Sequence, residues 1–170
     1  MWKKKKKTIE GKLQGNERGF AFLIPSGGGE DYFIAHEDLN GAMHGDLVLA
    51  EEVRGRGGHR TLARVVQIKE RGYRKLIGTF HSAKSGGFVV TDDRRYFNDV
   101  FIPRAAAKTA KTGDKVECEI TRYTKGNPEG KIVEVIGRQF DRDTEIACLI
   151  RSYGLETAFP PAVKKNAKAV

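Results

Sequence analysis

The sequence predicts an all-β chain of two consecutive five-stranded barrels followed by a short helical segment, and three observations carry that reading. The first is an internal repeat: residues 31–48, DYFIAHEDLNGAMHGDLV, return as residues 99–116, DVFIPRAAAKTAKTGDKV. At a constant offset they share Asp31/Asp99, Phe33/Phe101, Ile34/Ile102, Ala42/Ala110, Gly45/Gly113, Asp46/Asp114 and Val48/Val116. The likeness extends outward to Gly11 with Gly78, Gly19-Phe20 with Gly87-Phe88, and residues 64–68 with 131–135. A unit of about sixty to seventy residues is too long for a solenoid repeat and suits a small domain. The second observation is turn chemistry, which in the first copy breaks the chain at Gly15-Asn16, Gly27 to Gly29, Gly45-Asp46 and Gly55 to Gly58. The third is composition: 20 glycines and 9 phenylalanines in 170 residues suit a turn-rich β protein.

Between those breaks the strands are expected near 8–14, 18–24, 31–35, 46–53 and 61–69. In the second copy they are expected near 74–80, 87–91, 99–102, 114–123 and 130–136. After the third strand of each copy, Glu37-Asp38-Leu39 and Arg104 to Ala107 favour a short helical turn. Five strands with an insertion at that point match an OB-type Greek-key barrel. A single ten-stranded sandwich would leave the restart of the pattern unexplained. The domains are accordingly read as 8–70 and 71–138, with 1–7 a basic tail and 139–170 a helical segment. In that segment Ile146, Leu149, Ile150 and Tyr153 recur at i, i+3, i+4 and i+7, after Asp143-Thr144 as a capping pair and before Gly154 as a stop. Pro160-Pro161 is expected to open another short helix. An amphipathic helix with nothing obvious to pack on suggests a chain cut short.

The formal charge of +9 favours polyanionic partners, nucleic acid or an anionic membrane surface. Lys3 to Lys7 resemble the charged start of a signal peptide, but Thr8 to Lys12 supply no apolar stretch, and no window is long enough to span a bilayer. Cys118 and Cys148 stand alone without framework spacing, so free thiols and a reducing compartment are expected. A soluble, cytoplasmic protein follows as the expectation, without a membrane partner.

Alternation locates the candidate site. In a strand, successive side chains face opposite sides. Ala21, Leu23 and Ile34 are expected to fill the first barrel, which leaves Phe20, Phe22 and Phe33 outside it. Unstacked bases suit exposed rings, at about 1–3 kcal/mol per base; packing against the neighbouring barrel or a further domain is the alternative. Lys3 to Lys7, Lys12, Arg18 and the loop carrying Arg54 and Arg56 are candidates for phosphate contacts. No catalytic constellation accompanies them. Asp92-Asp93 reads as a solvated turn, Asp143 as a helix cap beside Asp141, and His36, Glu37 and His44 lack the spacing that places two histidines on one helical face.

Gly19-Phe20-Ala21-Phe22 together with Asp31-Tyr32-Phe33-Ile34 resembles the two ribonucleoprotein motifs of cold-shock domains, KGFGF and VFVHF. On that resemblance Arg18 takes the lysine position, Phe20, Phe22 and Phe33 the base-stacking positions, and His36 that of the last aromatic, while Ala35 replaces a histidine. In the second barrel Phe88 and Phe101 match, but Val90 and Pro103 depart, which implies weaker RNA contact or a channel wall. Tandem barrels without a linker, followed by GRQFDRDTEIACLIRSYGLETAFPPAV, are similar to the front of the ribonuclease R family. The resemblance implies a parent 3′–5′ exoribonuclease whose Mg²⁺ is held by aspartates downstream, so no cofactor is expected in this chain itself. Its implied partners are single-stranded RNA, bound with little sequence preference, and a catalytic domain, with the chain a monomer. A free-standing cold-shock RNA chaperone and a structural protein whose aromatics face a protein partner are the rival readings.

Overall fold

The structure, a computed structural model, describes residues 6–54 and 61–156. The period-two pattern is plain from the first strand: in β1 (Thr8–Gly15) Ile9 and Leu13 point inward, while Lys12 and Gln14 are exposed. Next come β2 (Ala21–Pro25), β3 (Tyr32–Ile34), a 3-10 turn (His36–Asp38), β4 (Leu47–Val53) and β5 (Leu62–Glu70). β1 pairs antiparallel with both β2 and β4, and β3 runs parallel to β5, closing a barrel in the order β1-β2-β3-β5-β4.

The second copy repeats this with β6 (Lys75–Ala83), β7 (Gly86–Thr91), β8 (Val100–Pro103), a 3-10 turn (Arg104–Ala106), β9 (Asp114–Arg122) and β10 (Glu129–Arg138). Its closed order is β6-β7-β8-β10-β9. Both barrels are thus five-stranded with OB-type topology, and the short helical turn follows the third strand in each. Leu23, Ile34, Val48 and Val65 are fully enclosed in the first, and Phe80, Val89, Ile102, Val116 and Ile132 in the second.

One strand begins later than the sequence suggests. Residues 16–20 form a turn, in which the Asn16 amide donates to the Phe20 carbonyl (3.0 Å) and the Gly19 amide to the Asn16 carbonyl (2.9 Å). Gly19 takes φ 94°, which glycine alone adopts without strain, so β2 starts at Ala21 rather than residue 18.

The barrels are joined through a buried carboxylate. Asp46 accepts from the amides of Met43 (2.8 Å) and Gly72 (2.8 Å) and from Arg71 Nη1 (3.0 Å). The same Arg71 nitrogen donates to the Gly41 carbonyl (3.0 Å), and the guanidinium lies 3.8 Å over the Tyr123 ring of the second barrel. Burial pushes the Asp46 carboxyl above its ordinary value, opposed by those amides and by Arg71. Asp114 and Arg138 repeat the pair (3.0 Å), but Arg138 is 65% exposed where Arg71 is 22%. Across the junction, Phe97 packs against the first core while Met43 belongs to the second. Gly15 sits against the Arg95 carbonyl, where any Cβ would collide, and donates its amide to His44 Nδ1 (3.1 Å).

The helix α1 (Arg142–Glu156) is capped by Asp141, not Asp143: its Oδ2 accepts from the Thr144 amide (3.1 Å) and hydroxyl (3.0 Å). Gly154 does not end it. Thr144 and Cys148 are its buried residues, and it rests on β6 and β10, while Ile146, Leu149, Ile150 and Tyr153 face outward. Gly137, lacking a Cβ, makes room for Thr144, and Arg151 reaches Glu134 (2.6 Å) and Glu117 (3.7 Å). The helix expected at Pro160-Pro161 lies outside the described residues. No described helix is long and apolar enough to cross a membrane.

Candidate nucleic-acid interface

The alternation that buries Ala21, Leu23 and Ile34 turns Phe22 and Phe33 outward on neighbouring strands. They are register partners across the β2–β3 ladder, with ring centroids 5.9 Å apart. Phe20 leans in from the 16–20 turn, 5.7 Å from Phe22 and 5.2 Å from Phe33. Three rings thus form one cluster on the barrel's outer face, with Phe22 38% exposed beside a fully buried Leu23. The ladder continues the face on both sides, through Gln14 opposite Phe22 and Leu62 opposite Phe33. The Phe33 amide donates to the Thr61 carbonyl (2.8 Å).

His36 joins the rim. Its Nδ1 lies 3.2 Å from the Gly19 carbonyl, and a Cβ on Gly19 would stand 3.3 Å from that nitrogen. Gly19 therefore serves both the turn and the histidine. The His36 ring also meets that of Phe97 in an edge arrangement, with centroids 5.2 Å apart. Lys12 is exposed on β1 opposite Ile24, and Arg18 is exposed in the turn, its amide tied to Asn16 Oδ1 (3.0 Å). Arg54 is exposed just past β4, and Arg56 lies outside the described residues.

The second barrel carries a smaller version. Phe88 and Phe101 are register partners with centroids 5.4 Å apart, and the Phe101 amide is held by the Pro128 carbonyl (2.8 Å), as Phe33 is by Thr61. The register corrects the sequence pairing of Phe20 with Phe88. Five residues separate Gly15 from Ala21, but four separate Ser82 from Gly87, which pairs with Ile102 as Ala21 does with Ile34. Phe88 is therefore the counterpart of Phe22, and Val90 that of Ile24. The ring without a counterpart is Phe20, whose place is taken by Gly86.

Burial, then Glu117, pushes the Cys118 thiol up to about 12, and burial also raises Cys148, so neither is poised as a thiolate. Burial opposes ionisation of Asp93, yet the Arg95 side chain and amide outweigh it and hold the carboxyl below its ordinary value. Among the described residues no group of three or more histidine, cysteine or acidic side chains is gathered to hold a metal ion.

Phe97 is the residue that sequence reasoning missed. It lies in the 92–99 connection, which has no matching aromatic in the first copy, so the repeat gave it no weight.

Comparison with known proteins finds two family models along the chain. The family model for the ribonuclease B OB domain matches residues 11–68, and that for a cold shock domain matches residues 88–160. Ribonuclease R of Acidithiobacillus ferrooxidans is 30% identical over 164 residues, covering 94% of this chain and 37% of the relative. Ribonuclease R of Escherichia coli is 30% identical over 162 residues, covering 93% of this chain and 20% of the relative. The chain therefore spans well under half the length of these relatives. Mycoplasma genitalium RNase R, solved in complex with ribose methylated single-stranded RNA, superposes with a TM-score of 0.74 at 18% identity, covering 95% of this chain and 27% of that one. Ribonuclease R is thus what the chain is similar to over nearly all of its own length, and the two stretches matched within it are a ribonuclease B OB domain and a cold shock domain.

Proposed function

We propose that the chain binds single-stranded RNA with little sequence preference, and that its first barrel supplies the principal platform. The observation that carries this is the cluster of Phe20, Phe22 and Phe33: strand alternation turns Phe22 and Phe33 outward, and the 16–20 turn brings Phe20 against them. Every base has a π-face, so a ring platform grips any sequence, while Lys12, Arg18, Arg54 and the basic tail neutralise phosphates without reading bases. A solved relative bound to single-stranded RNA supports the same reading. In the full family context the barrels would recruit an RNA strand and feed its 3′ end to a nuclease centre. Mg²⁺ belongs to that centre and is no part of the chemistry of these barrels.

The test is a titration with fluorescent single-stranded oligonucleotides of uridine, cytidine and adenosine, and with a duplex of equal length. The expected result is comparable affinity for the single strands, within about tenfold as stacking strengths vary, and weaker binding of the duplex. A strong preference for one base, or for the duplex, contradicts it. The chain with Mg²⁺ should produce no exonucleolytic ladder.

A further inference from the structure

The aromatic surface does not stop at the edge of the first barrel. His36 continues the cluster from Gly19-Phe20, and its ring meets Phe97 of the second barrel at 5.2 Å. Phe97 then lines an open groove with Glu17 from the first barrel's turn and with Arg94, Val90, Thr79 and His81 from the second. Val90 and Thr79 are register partners on the outer face of β6 and β7, and His81 is the partner of Phe88. Phe88 in turn pairs with Phe101. Arg94 is the groove's exposed cation; its other charged lining residues are Glu17, Glu145 and the Asp92–Lys115 pair, closed at 2.7 Å.

We propose that one RNA strand occupies both barrels as a single site, crossing the junction over His36 and Phe97 to reach Phe88 and Phe101, with Phe97 as the bridging ring. This rests on the RNA reading above. It adds that the barrels are not two independent platforms, because the buried Asp46–Arg71 junction holds them in one orientation. Affinity should therefore grow with strand length past the reach of one barrel.

The test uses oligouridylates of about four to about sixteen nucleotides, the range of OB-fold site sizes, titrated against the whole chain and two variants. Phe97→Leu keeps apolar packing against the first core but removes the ring; Arg94→Glu reverses the groove's exposed charge with no packing lost. The wild-type chain is expected to bind the longest strand at least about tenfold tighter than the shortest. Both variants are expected to bind the shortest strand as wild type does and to lose about tenfold on the longest, Phe97→Leu through roughly one stacked base and Arg94→Glu through a phosphate contact. A wild-type affinity that stops rising at the length covered by one barrel overturns the proposal. So do variants that weaken short and long strands equally, or that change neither. If no oligouridylate of any length binds the wild-type chain, the RNA reading itself fails, and the shared site fails with it.

Discussion

Phe22 and Phe33 stand directly opposite one another on adjacent strands, outside a barrel whose interior is lined by their immediate neighbours Leu23 and Ile34. The arrangement separates two energetic roles along one strand. Leu23 and Ile34, both fully buried, contribute to folding through apolar area removed from water. Phe22 loses far less area, and its ring face stays available to a ligand. Phe20 and Phe33 brace it at 5.7 and 5.9 Å, so the platform is ordered before anything binds.

Phe88→Ala should weaken RNA binding less than Phe22→Ala. Phe88 occupies the same register position, but it has one neighbouring ring, Phe101, and Gly86 stands where the first barrel presents Phe20. The expected losses are about 1–3 kcal/mol for Phe22→Ala and about 1 kcal/mol or less for Phe88→Ala. Titration of both variants with one long oligouridylate decides the order, and equal losses would mean that the missing third ring has no energetic consequence.

Asp46→Ala should be more damaging to stability than Asp114→Ala, although the two residues are repeats of each other. Removing Asp46 leaves two amides without their acceptor and takes the counter-charge from a largely covered guanidinium that keeps only the Gly41 carbonyl at Nη1. A cost of about 2–4 kcal/mol is expected. Asp114 supports one amide and an Arg138 that water already reaches, so about 1–2 kcal/mol is expected. Urea unfolding of the two variants measures the difference. Equal midpoints would show that the Asp46 junction is no stronger than its exposed counterpart.

RNA binding should weaken with salt at a slope of log K against log salt near −0.7 for each phosphate contacted, with roughly three to six contacts. Deleting residues 1–7 should flatten the slope without abolishing binding, because the ring platform remains. Titrations across a salt series read the slope directly. A salt-independent interaction would point to a neutral ligand or a protein partner.

Much of this was legible in the sequence because it depends on local rules. The repeat of DYFI and DVFI identified two units, and period-two alternation separated Leu23 from Phe22 without any knowledge of tertiary contacts. The placement of Phe88 was less accessible, since one residue fewer in the second copy's first turn shifts the register, and residue types alone did not reveal it. Phe97 was invisible for a related reason: its role arises where two copies meet, and a repeat carries no information about its own junction. The stripe of Ile146, Leu149, Ile150 and Tyr153 has helical period, yet small residues decide how α1 sits. Thr144 fits over Gly137 and Cys148 is covered, which leaves the larger side chains outward.

The most direct measurement is a pair of thermal melts and RNA titrations on Phe22→Ala and Leu23→Ala, adjacent residues on opposite faces of β2. Phe22→Ala should lose about 1–3 kcal/mol of RNA affinity while its melting temperature barely moves. Leu23→Ala should lose about 2–5 kcal/mol of stability and bind RNA normally while folded. The opposite pattern, with Phe22→Ala melting early and binding RNA as the wild type does, would make the ring a packing residue and contradict the stacking platform.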